Sequence, residues 1–486
     1  MSLNAVLNSA RSSLASITGQ TRAASENISN ADNPDYSRRI ASPVASGHGI
    51  LRLSVRRAQD RDILSQMLDY TSHDAANSAL REGLGQLERV FGGPDSELSP
   101  AALITRLQSD LQAFAAMPDN AAAATQAVES ARAIVQTLNR GAESIVRVRQ
   151  SADEQIAASV ARINGLLRDF HEANAAIVTG RLTDAERIHN EERRDQALTK
   201  LAEELDIRTV QRNDGGLAIY TGSGAVLYER GPREVRFQPS ATLPPGAPGG
   251  QIFIDNIPVT GGGAIMRLTG GRLAGLVRLR DDDAAAWGRQ LDEIARGLVG
   301  AFAEHNASGA NPDAPGLFTW SGAPAMPPDG VLIPGFARGL RLNAAADPQA
   351  GGDPFLVRDG GMNGAAYVAN TTGAAGFTDR LLKLDEALRT PRAFDAAAGL
   401  RTSASLGEYA GSSVSWLEDR RARTETASEH SKALLTRASD ALSRATGVDL
   451  DDELAVVMRL ERSYEATARI ITTVDRMLGV LMNSMR

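Results

Sequence analysis

Six histidines, His48, His73, His171, His189, His305 and His430, are the first candidates for chemistry, but they are scattered along the chain. No two stand four residues apart, the spacing that would put a pair of metal ligands on one helix face, and no HExxH pattern occurs. Ordinary surface or core histidines are therefore expected. Asp449, Asp451 and Glu453 have the alternation that opens a calcium loop. Such a loop needs Gly at its sixth position and Glu at its twelfth, where this chain has Leu454 and Leu460. Acids there suit the first turn of a helix better, because they complement its dipole. The run Asp281-Asp282-Asp283 reads as solvated surface or a helix start. Gly222-Ser223-Gly224 and Gly261-Gly262-Gly263 lack the GxGxxG and GKS/T patterns. Both also sit among β-segments rather than ahead of a helix, so neither makes a phosphate cradle. There is no GxSxG elbow. The absence of cysteine removes disulfide scaffolds, thiolate zinc sites and thiol nucleophiles together. With 59 acidic residues, no carboxylate pair singles itself out. No catalytic residue, cofactor or metal is expected, and the chain does not read as an enzyme.

The elements that would position a site carry more information. A chain of 486 residues is expected to form two to four domains. A net charge of −7, with arginines dispersed rather than clustered, gives no footprint for nucleic acid. No stretch approaches the roughly 18 apolar residues needed to cross a bilayer. Met1–Asn30 lacks the basic and apolar regions of a cleaved secretory signal.

Both ends carry heptads. Leu3, Leu7, Ala10, Leu14, Ile17, Thr21, Ala24 and Ile28 alternate spacings of four and three without a slip. Such a narrow stripe suits a coiled-coil seam better than a globular helix face. At the other end Leu450, Val457, Tyr464, Ile471, Leu478 and Met485 share one heptad position, with Leu460, Val474 and Leu481 three residues later in the frame. Neither stripe is wide enough to hold a helix alone in water, so each is a natural partner for the other.

Between them lie helices at about 60–90, ending at Gly92-Gly93-Pro94, and from Ser99-Pro100 to Met117. Apolar residues then recur from Val128 to Ile177 with no proline, predicting one helix over 120–179 about 85 Å long. A helix follows at 183–205. Short strands are predicted at 207–212, 217–221, 225–229, 234–238 and 251–255, with turns at Asp214-Gly215-Gly216 and Gly222-Ser223-Gly224. Helix returns at 272–305 and 376–389, with a strand at 339–343 between them. A long helix over 406–445 has a weak stripe, since Thr424, Ser428 and Ser431 fall where apolar residues belong. The expected fold is mainly α, a long helical rod or coiled-coil bundle built from both termini, with a small Gly-rich β domain in the middle. Its expected divisions are an assembly domain of 1–33 with 448–486, a rod of 34–205 with 362–447 on which helix 272–305 could pack, and a β-rich outer insert over 206–361.

Three stretches resemble a known family. Ala24-Ser25-Glu26-Asn27-Ile28-Ser29-Asn30-Ala31-Asp32-Asn33-Pro34-Asp35-Tyr36-Ser37-Arg38-Arg39 is similar to the N-terminal motif of flagellar axial proteins, and its Tyr-Ser-Arg ending resembles the hook-associated protein 1 family. Gly447–Leu454 with Tyr464-Glu465-Ala466-Thr467-Ala468-Arg469 resembles that family's C-terminal signature. Glu192–Leu205 and Asp214-Gly215-Gly216 resemble the helix and first hairpin before its β-domain. Glu26 and Asp35 depart from the usual Asn and Gly, and Leu460-Glu461 stands where Tyr-Gln is common.

The resemblance implies a structural subunit of the bacterial flagellum at the junction of hook and filament. Asn27, Ile28, Asn30, Tyr36 and Arg38 are its motif residues here, and the terminal heptads become its assembly interface. It further implies export through the flagellar type III apparatus without a cleaved signal, hence an extracellular location. Its partners would be copies of itself, the hook protein, hook-associated protein 3, and a cytosolic chaperone on the C-terminal helix. Two alternatives remain: another secreted coiled-coil protein, such as a different axial protein, a translocator or an adhesin, and a hydrolase carried in the β insert.

Overall fold

A computed structural model describes residues 3–33, 36–45, 51–89, 92, 96–306, 309 and 311–484, with the backbone alone for Leu3, Asn4, Leu481, Met482 and Ser484. The predicted positions Pro34, Asp35, Gly93, Pro94 and Met485 lie outside the described residues. In chain order the first elements are α1 (Leu3–Ser29), an antiparallel hairpin β1 (Arg39–Ala45) and β2 (Leu51–Arg57), then α2 (Arg61–Glu88), α3 (Pro100–Ala116), α4 (Ala121–Thr179) and α5 (Asp184–Glu204). Side chains at the helix starts satisfy otherwise orphaned backbone N–H groups. Ser99 accepts from the Ala102 N–H, Asn120 from those of Ala122 and Ala123, and Thr183 closes a capping box with Glu186. α4 is one helix of 59 residues, stopped by Gly180 in the left-handed region. Its predicted apolar row is buried from Val128 to Phe170 and forms the spine of the core.

The middle of the chain is laid along this spine. Strands β3 (Ile207–Gln211), β4 (Leu217–Thr221) and β5 (Val226–Tyr228) form one antiparallel sheet, and β6 (Val235–Phe237), β7 (Ile252–Ile254) and β8 (Ile257–Pro258) form another. Then come α6 (Gly271–Arg278), a π-helical turn over Leu279–Asp283, and α7 (Ala284–Ala301), buried on nearly every side and packed against α4. Short pieces follow: β9 (Phe318–Thr319), α8 (Phe336–Gly339), β10 (Arg341–Leu342), α9 (Leu356–Asp359), α10 (Asp379–Arg389), β11 (Arg392–Ala393) and β12 (Ser403–Ala404). Two helices close the chain, α11 (Leu406–Thr446) and α12 (Leu450–Ser484).

Over 206–361, where composition suggests an outer β insert, the small sheets pack on the helical body. Ile219, Leu227, Val235, Ile252, Trp287, Phe302, Phe318 and Phe336 join one continuous core with α4 and α11. Buried acids explain the attachment, because each takes backbone N–H groups from loops far away in sequence. Asp153 on α4 accepts from the Ser240 N–H at 2.7 Å and pairs with the buried Arg280. Asp292 accepts from Gly335 and Ala337, both at 2.8 Å, and Glu304 accepts from Met362 and Asn363. Asp283, read as solvated surface or a helix start, does stand at the start of α7, but it is buried between Arg278 and Arg420.

The weak stripe of α11 has a similar resolution. Thr424, Ser428 and Ser431 are each 5% exposed, in the face of α11 that packs along α2. Thr424 Oγ1 donates to the Arg420 carbonyl and Ser431 Oγ to that of Ser428, so their hydroxyls are satisfied within the helix. Asn77 of α2 then donates to Ser431 Oγ at 3.3 Å. Small polar residues let the two helices approach closely without stranding a polar atom.

Ser428→Leu should therefore overpack this seam and lower stability by about 1–3 kcal/mol, read as a lower thermal midpoint of the purified chain. Burial also pushes the Asp292 carboxyl up to about 7, against the pull of the Ala337 and Gly335 amides. Its folded-state proton affinity exceeds the unfolded one. The resulting stability is complete below the ordinary Asp value of about 4 and is lost as pH rises through about 7. Urea midpoints across this range should fall with rising pH, and Asp292→Asn should flatten that slope.

Candidate assembly interface

The two terminal stripes meet each other. The end of α1 lies beside the beginning of α12, so the helices run antiparallel. One heptad row of each is covered: Ala10, Ile17 and Ala24 on α1, and Glu453, Leu460, Thr467 and Val474 on α12. The other row is left open. Leu7, Leu14, Thr21 and Ile28 on α1, and Val457, Ile471 and Leu478 on α12, are half-buried. Leu450 and Tyr464, placed in the seam by periodicity, stand 46% and 47% exposed. The reason is geometric, since a single partner helix covers only one side of a heptad stripe. The side chains of Leu3 and Leu481 lie outside the described residues.

α1 has a second buried face that its 3–4 stripe does not reveal. Ser16, Ala23 and Asn27 are buried on α1, which packs against the hairpin β1–β2 as well as α12. Leu53 of β2 fills the notch at Gly19, where a side chain of its own would collide with it. Strands β1 and β2 are thus a third wall beside the two terminal helices.

The motif residues tie these elements at one point. Asn27, 1% exposed, donates through Nδ2 to the Arg39 carbonyl at 3.0 Å. Its Oδ1 accepts from the Arg39 N–H and the Tyr36 hydroxyl, both at 2.8 Å. Burial pushes the Tyr36 hydroxyl up to about 12, outweighing the neighbouring Arg39, so it remains a donor at neutral pH. The Tyr36 N–H donates to the Asn33 carbonyl, and Asn30 Nδ2 donates to the Glu26 carbonyl. Ile28 lies half-buried beside them. Arg38 donates from its N–H to the Thr446 carbonyl, at the end of α11. Its guanidinium meets the buried Glu453 carboxylate at 2.6 Å. Glu26, the departure from the motif, pairs with Arg22 and Arg39. Asp449 accepts from the Asp451 and Asp452 N–H groups and so caps α12.

Polar contacts attach this unit to the helical body. Val55 donates to Asp184 at 2.7 Å, Arg57 pairs with Glu191 and Asp195, and Gln59 donates to Glu191. Beside them lies a cleft of about 730 Å³ lined by Tyr36, Arg57, Glu192, Arg194, Ser439 and Val448, among others. Periodicity missed Glu453, Thr467 and Arg39. Glu453 stood in the heptad frame, but a carboxylate there does not announce itself as buried until its arginine is known.

The acids of the β segments serve their own turns. Asp214 caps the Gly216 N–H and pairs with Arg212, and Asp255 pairs with Arg233. Of the histidines, His171 contacts the Tyr228 hydroxyl and His305 pairs with Asp313.

Asn27→Ala would strand the Tyr36 hydroxyl and the Arg39 N–H and carbonyl, at about 1–3 kcal/mol for each buried group left unpaired. The expected outcome is faster hydrogen exchange at Arg39 and through β1 and β2, with α4 and α7 remaining as protected as before.

The family described as the flagellar hook-associated protein FlgK helical domain matches residues 84–317. The match runs through the β segments without a break at 206. The family described as the flagellar basal body rod FlgEFG protein C-terminal matches residues 442–485, which contain α12. The flagellar hook junction protein FlgK from Burkholderia pseudomallei is similar in fold, with a TM-score of 0.56 and 14% sequence identity, over 78% of this chain and 99% of that one. No curated protein matches significantly. No described helix is long and apolar enough to cross a membrane. The chain belongs to the flagellar hook-associated protein family, structural proteins of the bacterial flagellum at the junction of hook and filament.

Proposed function

We propose that this chain builds the junction by polymerising through α1 and α12, with each copy covering the open heptad row of its neighbours. The observation that carries this reading is the half-covered seam, in which one row of each terminal helix is buried and the adjacent apolar row is partly open. Completing the burial of a Leu- or Ile-sized side chain contributes up to roughly 1.5–3 kcal/mol, repeated along both helices. The family likeness supports association with other axial proteins. In the finer reading those neighbours are the hook protein and hook-associated protein 3. The chain reaches them by flagellar type III export, guided by its uncleaved N-terminal segment. Before export a cytosolic chaperone holds α12, whose exposed Leu454, Met458, Ile470 and Met477 need cover. The role is structural: the conspicuous acids of the β segments are engaged in turns and ion pairs.

Ile471→Asp places a carboxylate in the open row. The soluble chain should keep its main thermal transition to within about 1 kcal/mol, while cells carrying the variant bear hooks without filaments and lose motility. Leu14→Asp on α1 should behave alike. Loss of the main transition in the soluble chain would instead place Ile471 in an intramolecular core and end the polymerisation reading.

A further inference from the structure

Around α12 the side chains that α1 leaves uncovered are sorted by charge. Starting from the buried row of Leu460, Thr467 and Val474, one flank carries the exposed apolar residues Leu450, Leu454, Met458 and Tyr464. On the same flank lie the exposed acids Glu461, Glu465 and Asp475, with no base among them. The opposite flank carries Ile470, Met477 and Val480, at 48%, 55% and 66% exposure. Beside it runs a ridge of exposed arginines, Arg459, Arg462, Arg469 and Arg476, and Asp452 in the first turn is the exception. Charges i and i+4 on a helix commonly pair along it. Among the described residues, however, none of these acids or arginines forms an ion pair within the chain, whereas the exposed Arg22, Arg389 and Arg423 do. The two apolar patches are also displaced along the axis, by about 19 residues or roughly 29 Å.

We infer that the two flanks of α12 are the complementary halves of one contact between copies of this chain. The acidic flank around Met458 of one copy packs against the arginine-edged flank around Met477 of the next, side by side and shifted along the axis. The occupant is a second copy because α12 itself supplies both signs of charge and both apolar patches, each on the face that the other would meet. The two faces differ, so the contact is heterologous. It leaves a free face at each end and propagates into a ring or helix instead of closing as a dimer. The displaced patches select the shifted arrangement. This inference rests on the polymerisation reading above and specifies which faces of α12 meet.

The chain has no cysteine, so introduced thiols report contacts without background. Met458→Cys and Met477→Cys are made singly and together in the full chain, expressed in motile cells, and mildly oxidised in isolated flagella. Two thiols 19 residues apart on one helix cannot meet, so the double variant can crosslink only between copies. A ladder of oligomers from the double variant, with neither single variant crosslinking, is the expected result. Dimers from a single variant, or normal junctions without a ladder, would overturn the contact while leaving polymerisation standing. If Ile471→Asp still assembled, polymerisation through the seam would itself fail. As a second arm, Arg462→Glu with Arg469→Glu should abolish filament attachment, and adding Glu461→Arg with Glu465→Arg should restore it. Loss without rescue also counts against the pairing.

Discussion

An antiparallel pair of helices with 3–4 apolar stripes can cover one heptad row of each partner and no more, and this limit governs the ends of the chain. Ala10, Ile17 and Ala24 meet the row of Leu460, Thr467 and Val474. The row beside it stays partly in water, and a stripe sustained over the length of α1 and α12 is worth keeping only if something else covers it. The elements around the two terminal helices hold that open row in place. The hairpin braces the back of α1, and Asn27 fixes the hairpin to the last turn of α1 through three hydrogen bonds. Arg38 then binds the joint between α11 and α12 through the Thr446 carbonyl and Glu453. The two ends of the chain are thus locked together across more than 400 residues of sequence by a few polar contacts.

The body and the assembly unit are held by different physics. In the body, a continuous apolar core around α4 is pinned by buried acids that receive loop N–H groups, as Asp153, Asp292 and Glu304 do. Breaking such a contact strands a buried charge, so each one specifies a single docking of its loop. Between body and assembly unit the contacts of Arg57, Gln59 and Val55 with α5 are polar and border an open cleft. A joint of this kind resists separation less than an apolar core does.

Much of this was legible from the sequence because helices announce themselves locally. The unbroken apolar row of α4 and Ser99-Pro100 at the start of α3 marked their elements within a residue or two. Strands β3 and β4 were legible from the turn at Asp214-Gly215-Gly216. What was hidden depends on partners distant in sequence. Thr424, Ser428 and Ser431 looked like defects until α2 supplied a close-packing face. Asp283 read as a helix start or solvated surface; it does start α7, but its burial shows only once Arg278 and Arg420 are placed beside it. In the Gly-rich middle composition reports the turns but not their docking, because the acids that bind those turns lie on α4 and α7. Leu450 and Tyr464 fit the heptad yet stand exposed, since periodicity identifies a stripe but not how much of it one partner covers.

The central claim, that the terminal helices form a half-covered seam completed by neighbouring copies, is tested most directly by hydrogen exchange on the soluble chain and on assembled junctions. The account predicts moderate protection of α1 and α12 in the soluble chain. On assembly that protection should rise by orders of magnitude throughout both helices, while α4 and α7, already buried, change little. Equal protection of α1 and α12 in the two states would mean that the seam is complete within one chain, and would contradict the account.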